Sequence, residues 1–272
     1  TLDHRSSGVM TIQKYINNDS KIDLFFIPGG PGLSSISFEK LISLKSKYSL
    51  YFFNPIGTTS DKKEVHNYKA LLDEVRTEIL ALENVILCGH SFGGIQAIDI
   101  TAENHPNIKG LIVIGSPVSQ NAFSLLGERF EKRITNQHIQ ISEKLEKAPT
   151  DEVYKDWFNI YRNFYFHPNH ADECISTIID DSVCVKSYSE AIVESADKED
   201  RLNQLKQIKI PKLFITGDND LVMPPKQAKV ESELGGFNLK IIKEAGHFAH
   251  FEQPQQTIEI IDNFLSKKEN ER

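Results

Sequence analysis

The stretch Val85-Ile86-Leu87-Cys88-Gly89-His90-Ser91-Phe92-Gly93-Gly94-Ile95-Gln96-Ala97 decides the fold. A short apolar run ends in Gly89-His90-Ser91-Phe92-Gly93, and a helix-compatible apolar run follows from Ile95 to Ile100. Strand, sharp turn and helix in that order are the context a G-x-S-x-G nucleophile turn requires. Such a turn holds its serine in a strained backbone conformation, and its flanks must be small because other backbone comes close. Gly89, Gly93 and Gly94 meet that demand. The geometry lifts the Ser91 hydroxyl off the end of a sheet. It also sets the Phe92 amide at a helix N-terminus, where the dipole favours a developing oxyanion. The plainer alternative is a glycine-rich strand-helix turn with an incidental serine.

Working outward, alternating strands and helices surround this turn. On the N-terminal side, Val9 to Ile16 and Ile22 to Ile27 read as strands, the second denser in apolar residues. It stops at Pro28-Gly29-Gly30-Pro31-Gly32. Ser34 to Ser46 reads as a helix, Tyr48 to Phe53 as a strand, and Asn54 to Asn67 as irregular. Tyr68 to Leu82 carries Leu71, Leu72, Val75 and Ile79 at helical spacing. Asn84 to Cys88 is the strand before the turn, Phe92 to Glu103 the helix after it, and Ile108 to Ile114 the next strand. This rhythm predicts βαβ units in a mostly parallel sheet.

The rhythm breaks at Gly115-Ser116-Pro117. From Ser119 to Gln207 the pattern is helical and rich in charge, with Trp157, Phe158, Tyr161, Phe164, Tyr165 and Phe166 forming an aromatic cluster. We expect residues 119–207 to be a helical cap inserted into a core built from 1–118 and 208–272. Strand and helix alternation resumes with Lys212 to Thr216, Pro224 to Leu234 and Phe237 to Ile242. An amphipathic helix then runs from Gln253-Pro254 through Phe264, with a charged, frayed tail from Lys267.

Composition bounds the function. The 272 residues suffice for one large α/β domain carrying an insertion. A net charge of -7 argues against nucleic-acid and anionic-membrane partners. No apolar run approaches the roughly 18 residues that span a bilayer. No signal-like leader follows Thr1, so a cytoplasmic location is expected. Cys88, Cys174 and Cys184 have no metal-like spacing and read as free thiols.

Ser91, Asp220 and His247 each lie just beyond a predicted strand, in the order nucleophile, acid, base. Strand ends of a parallel sheet line one edge, so residues distant in sequence converge there. A serine hydroxyl needs a base to take its proton, and a buried carboxylate fixes the tautomer of that base. Asp218 competes with Asp220, but beside Gly217 it suits the turn better. His250 competes with His247, and reads instead as part of the turn into the last helix. His90 reads as a packing or pocket-rim residue; His66, His105, His138, His167 and His170 show no evident partner. The second oxyanion donor is expected from the glycine turn, with Gly30 the first choice and Gly29 the second.

Gly89-His-Ser-Phe-Gly93, Gly217-Asp-Asn-Asp220 and Gly246-His247 with Glu252 and Pro254 resemble the α/β-hydrolase superfamily over nearly the whole chain. Pro28-Gly-Gly-Pro-Gly32 is similar to the His-Gly-Gly-Pro-Gly turn of its proline iminopeptidase branch, with Pro28 replacing the histidine. The elbow also departs from that branch's Gly-Gly-Ser-Trp-Gly, and Asn54 to Ser60 lacks its arginine. The resemblance implies the α/β-hydrolase fold with a helical cap, and the triad Ser91, Asp220 and His247. An iminopeptidase needs cap carboxylates for the substrate ammonium, for which Glu128, Glu131, Glu152 and Asp156 are available; the plainer alternative for these four is solvated charge on a helix.

The expectation is a serine hydrolase, monomeric or weakly oligomeric, cleaving an ester or amide of a small molecule or short peptide through an acyl-enzyme. It needs no metal or organic cofactor. Trp157 and Tyr161 are expected to line the substrate pocket. Alternatives are an iminopeptidase-like peptidase, a thioesterase and a non-hydrolytic ligand receptor on the same fold.

Overall fold

The computed structural model describes residues 11–59, 65–196 and 198–270. Its strands are β1 (Ile12–Tyr15), β2 (Asp23–Ile27), β3 (Ser49–Phe53), β4 (Val85–His90), β5 (Ile108–Ile114), β6 (Lys212–Gly217) and β7 (Asn238–Ile242). They form one sheet in the order β1-β3-β2-β4-β5-β6-β7. β1 pairs antiparallel with β3, and every other pairing is parallel. The expected strand from Val9 falls partly outside the described residues.

The period-two alternation of buried strands divides the core between the two faces. Phe25, Ile27, Leu87 and Val113 belong to one cluster, with residues of α1 (Tyr68–Ile79) and α2 (Phe92–Ala102). Their sequence neighbours Leu24, Phe26, Cys88 and Ile112 belong to the other, with a helix at Ser35–Ser46 and α12 (Pro254–Asn270). The Ser35–Ser46 helix is of the 3-10 type, capped by Ser34, whose hydroxyl accepts from the Ile36 amide. Its tighter winding was not visible in composition. The tail expected to fray from Lys267 is instead helical as far as Asn270, because α12 packs across the sheet face through Ile261 and Leu265.

Between β5 and β6 lie α3 (Gln120–Glu131), α4 (Asn136–Lys147), α5 (Asp151–Ile160), α6 (Arg162–Tyr165), α7 (Ala171–Asp180), α8 (Val185–Ala196) and α9 (Arg201–Lys206). A third apolar cluster joins Tyr154, Phe158 and Ile175 of these helices to Leu33 after β2 and Phe248 after β7. At the other end α9 is tied to α2. Arg201 Nε and Nη2 donate to Asp99 at 2.7 and 3.1 Å, both residues being buried. Tyr68 OH donates to the same carboxylate. A buried charge needs such pairing, since an unpaired one is costly.

β2 lies between β3 on one side and β4 on the other, so strand order reverses at β2 and β4. A crevice opens at the carboxyl ends of strands at such a switch point. The glycine turn after β2 and Ser91 after β4 both lie there, with Ile27 opposite Gly89 across the ladder. α10 (Pro225–Gly235) follows β6, and a short helix, α11 (Ala249–Glu252), separates the β7 loop from α12.

Candidate active site

Ser91 sits at φ 52°, ψ -119°, between β4 and α2. This left-handed backbone is strained for a serine and persists only where surroundings enforce it. Close packing enforces it here. A Cβ on Gly89 would lie 2.3 Å from the Gly93 carbonyl oxygen, and one on Gly93 would lie 2.2 Å from that of Ile27. The Ser91 amide donates to the Ile114 carbonyl at 2.9 Å, and the Ser116 hydroxyl donates to the Ser91 carbonyl at 2.6 Å. Phe92 begins α2, so its N–H has no acceptor within the helix.

His247 Nε2 lies 2.9 Å from Ser91 Oγ, and His247 Nδ1 lies 3.1 Å from Asp220 Oδ2. In the tautomer that gives the Nδ1 proton to Asp220, Nε2 accepts the serine hydroxyl proton. Asp220 and His247 are both 2% exposed. The other oxygen of Asp220 accepts from the Val222 and Met223 amides at 2.8 and 2.9 Å, which fixes the carboxylate plane. Asp218 is exposed and accepts from the Ala245 amide at 3.2 Å, closing the turn. Gly115 lies beneath the Asp220–His247 pair at φ +62°, and a Cβ there would come within 2.9 Å of Asp220 Oδ2 and 3.0 Å of His247 Nδ1.

His90 and His250 stack beside the site. Ring centroids are 4.9 Å apart for His90 and His247 and 4.6 Å for His90 and His250. His90 Nε2 donates to the His247 carbonyl at 2.9 Å. Burial drives the His90 pKa well below the ordinary range and His250 down to about 3, so both rings are neutral. They brace the His247 segment without adding charge beside it. His250 points the other way, to Ser37 Oγ at 2.9 Å.

Glu252 had appeared in the sequence only as a motif member. Its Oε2 accepts from the Gly246 amide at 2.9 Å and its Oε1 from the His167 amide at 2.6 Å. The His247 amide in turn donates to the Tyr165 carbonyl at 2.9 Å. The loop carrying His247 is thus bonded directly to the segment after α6. Burial raises the Glu252 pKa to about 7, the backbone N–H donors opposing it.

Above Ser91 opens a cavity of about 740 Å³. Ser91, Phe92, His247 and Gly30 lie at its base, and Trp157 and Tyr161 are in its wall. Gly30 has φ +119°, the start of the turn that leads to Leu33. Gly29 does not line the cavity. Its Cα side faces the His90 carbonyl oxygen, 2.9 Å from where a Cβ would be. Tyr154 OH donates to the Pro31 carbonyl at 2.7 Å, joining α5 to the glycine turn. Phe158 and Tyr165 also line the cavity, whereas Phe164 packs on Phe130 and Phe166 stacks on Phe248.

Other expectations need correcting. None of Glu128, Glu131, Glu152 and Asp156 reaches the cavity; Glu146 does. His66, which shows no partner in the sequence, is buried with Nδ1 3.1 Å from Ser187 Oγ. His138 closes the N-terminus of α4 by accepting from the Thr135 amide, and His105 pairs with Glu103. All three cysteines are free. Among the described residues there is no cluster of metal-binding side chains and no helix long and apolar enough to cross a membrane.

The chain belongs to the alpha/beta hydrolase fold family, whose profile matches residues 24–254. It is 26% identical over 264 residues to a Mycoplasma genitalium protein whose name places it among esterases and lipases. That match covers 92% of this chain and 91% of the relative. It is 23% identical to a proline iminopeptidase of Lactobacillus crispatus, over 96% of each chain. Among solved structures, a malate-bound thermophilic esterase from Thermogutta terrifontis superposes with a TM-score of 0.74 at 16% identity, covering 94% of this chain and 92% of the other.

Proposed function

We propose that this protein is a serine hydrolase that cleaves an ester or amide of a small substrate through an acyl-enzyme. The observation that carries the reading is the bonded series Ser91, His247, Asp220 at the base of a largely aromatic cavity. Ser91 Oγ attacks the substrate carbonyl carbon while His247 Nε2 takes the hydroxyl proton. Asp220 holds the tautomer and stabilises the imidazolium. The amides of Phe92 and Gly30, with Gly29 the second candidate for the latter, receive the oxyanion. Collapse of the tetrahedral intermediate expels the leaving group, which takes the proton from His247. Water, deprotonated by the same ring, then attacks the acyl carbonyl and releases the acid and Ser91. Residues 119–207 act as the cap, and Trp157 and Tyr161 line the acyl site.

Ser91→Ala tests the mechanism. Turnover of short p-nitrophenyl esters should fall by about four orders of magnitude or more with folding retained. A fluorophosphonate should label the parent at Ser91 and leave the variant unlabelled. Near-parental turnover by the variant would sink the mechanism. A second reading, an iminopeptidase-like peptidase, draws on the iminopeptidase relative and on Glu146 in the cavity wall. It predicts that proline-p-nitroanilide outruns the p-nitrophenyl esters in kcat/KM.

A further inference from the structure

The charge and chemistry of the cavity wall say more about the substrate than its shape does. Histidines of the base apart, Glu146 is the one charged side chain among the described residues lining the cavity, and no lysine or arginine reaches it. The wall around it is a continuous set of electron-rich rings. Trp157 lies 4.5 Å from Tyr161, 5.7 Å from Tyr165 and 6.4 Å from Tyr188, centroid to centroid, and Tyr154 lies 5.3 Å from Tyr188. Trp157, Tyr165 and Tyr188 are only half-buried, so they keep ring surface open to the cavity. The wall begins beside the candidate base, with the Tyr165 ring 5.9 Å from that of His247.

The position of Glu146 follows from the hairpin of α4 and α5. Ser142 Oγ lies 2.9 Å from Tyr161 OH across it. One turn onward along α4 is Glu146, and one turn back along α5 is Trp157. In an antiparallel hairpin these two positions lie at the same level, and both residues line the cavity. Tryptophan and tyrosine faces carry negative potential and attract cations, best when the cation is partly desolvated. An anionic substrate would meet both ring faces and a carboxylate, with no basic group to offset them.

The bonding state of the wall narrows the kind of cation. Tyr161 and Ser142 bond each other, and Tyr154 OH is committed to the Pro31 carbonyl. A primary ammonium would bring three N–H donors to a wall that is mostly ring face, with Glu146 its one charged acceptor, and donors left unmet are costly when buried. An alkylated ammonium has few or no N–H groups to satisfy.

We infer that the cap side of this cavity is a binding site for an alkylated ammonium group, so that the substrate carries a quaternary or tertiary amine near its scissile bond. The binding stands on the cavity alone; the statement about a substrate rests on the hydrolase reading.

Trp157 is the chain's one tryptophan, so its fluorescence reports this site directly. The first measurement is a titration with tetramethylammonium chloride against sodium chloride and against uncharged neopentyl alcohol. A saturable fluorescence change with tetramethylammonium is expected, at about tenfold lower concentration than any change with the alcohol. Tyr188→Leu should weaken it by about fivefold, and Glu146→Gln, at an exposed position, by about two- to fivefold. The second measurement compares butyrylcholine with its carbon isostere, 3,3-dimethylbutyl butyrate. The kcat/KM ratio should favour the cation by about tenfold and fall towards one in Tyr188→Leu. Turnover of both esters at equal efficiency, without saturable tetramethylammonium binding, overturns this inference and leaves the hydrolase reading intact. Saturable binding without turnover of either ester, in a protein whose Ser91 a fluorophosphonate fails to label, supports the site and overturns the hydrolase reading. Tighter binding of the neutral alcohol would show an ordinary apolar pocket and overturn the inference.

Discussion

Replacing Glu252 by glutamine tests how the loop carrying His247 is held. The carboxyl accepts two backbone N–H groups, from Gly246 and His167, and is 7% exposed. An amide of the same shape has one acceptor oxygen, so its NH2 must face a backbone donor. An unmet buried donor costs about 1–3 kcal/mol, and we take about 2 kcal/mol for Glu252→Gln under acid conditions. The pH dependence then separates two explanations of the wild-type site. Burial raises the Glu252 pKa from 4.5 to about 7, so the folded protein holds a proton that the unfolded chain releases over that interval. The contribution is full below pH 4.5 and is lost as pH rises through about 7. At about 1.36 kcal/mol per pH unit the loss approaches 3 kcal/mol. The variant lacks this titration. Urea unfolding of both proteins at intervals from pH 4.5 to 8 should therefore show wild type ahead by about 2 kcal/mol at the acid end. The gap should close, or change sign, by the alkaline end. A gap that widens with pH would refute the reasoning, because it would mean that the N–H donors outweigh burial. So would a constant gap, which would remove any titration of Glu252 in this range.

Three further outcomes are expected. Asp220→Asn should lower kcat by about 10⁴, as loss of the correct histidine tautomer does, while Asp218→Asn costs tenfold at most; the reverse order in ester turnover would move the acid by two residues. Gly93→Ala forces a Cβ to within 2.2 Å of the Ile27 carbonyl oxygen, so it should destabilise by about 3 kcal/mol or more, read as a lowered Tm and soluble yield. Trp157→Ala and Tyr161→Ala should change the preference among p-nitrophenyl acyl chain lengths; a lowered Tm with unchanged relative kcat/KM would assign both rings to packing alone.

What could be read from the sequence was mostly local. The strand, turn and helix around Ser91 follow from one apolar run and three glycines whose spacing suits nothing else so well. The alternation of strands and helices implied a parallel sheet, and a parallel sheet implied that residues after β4, β6 and β7 share an edge. Residues whose role depends on what another element brings to them were not legible. Glu252 matters because the segment after α6 arrives within reach of its carboxyl. Gly115 matters because Asp220 and His247 meet above it. Glu146 reaches the cavity while Glu128 and Glu131 do not, a difference set by the rotation of α3 and α4 that charge alone leaves open. His66 looked solitary because Ser187 lies on a helix more than a hundred residues away.

The joint between the cap and the base has a kinetic consequence. The Tyr165 carbonyl, the His167 amide and the Tyr154 hydroxyl hold the cap to the His247 loop and to the glycine turn. On the proposed mechanism these are the pieces that carry the general base and an oxyanion donor. A cap that swung wide would loosen both at once. On that mechanism access and competence are opposed: a conformation opened to admit bulky molecules would be the one least able to attack them. Chance encounters with large ester-bearing surfaces would end without reaction. Only a substrate small enough to pass with the cap seated would then meet a fully assembled nucleophile, so on the proposed reading the joint is a size filter that needs no contact with the molecule it rejects.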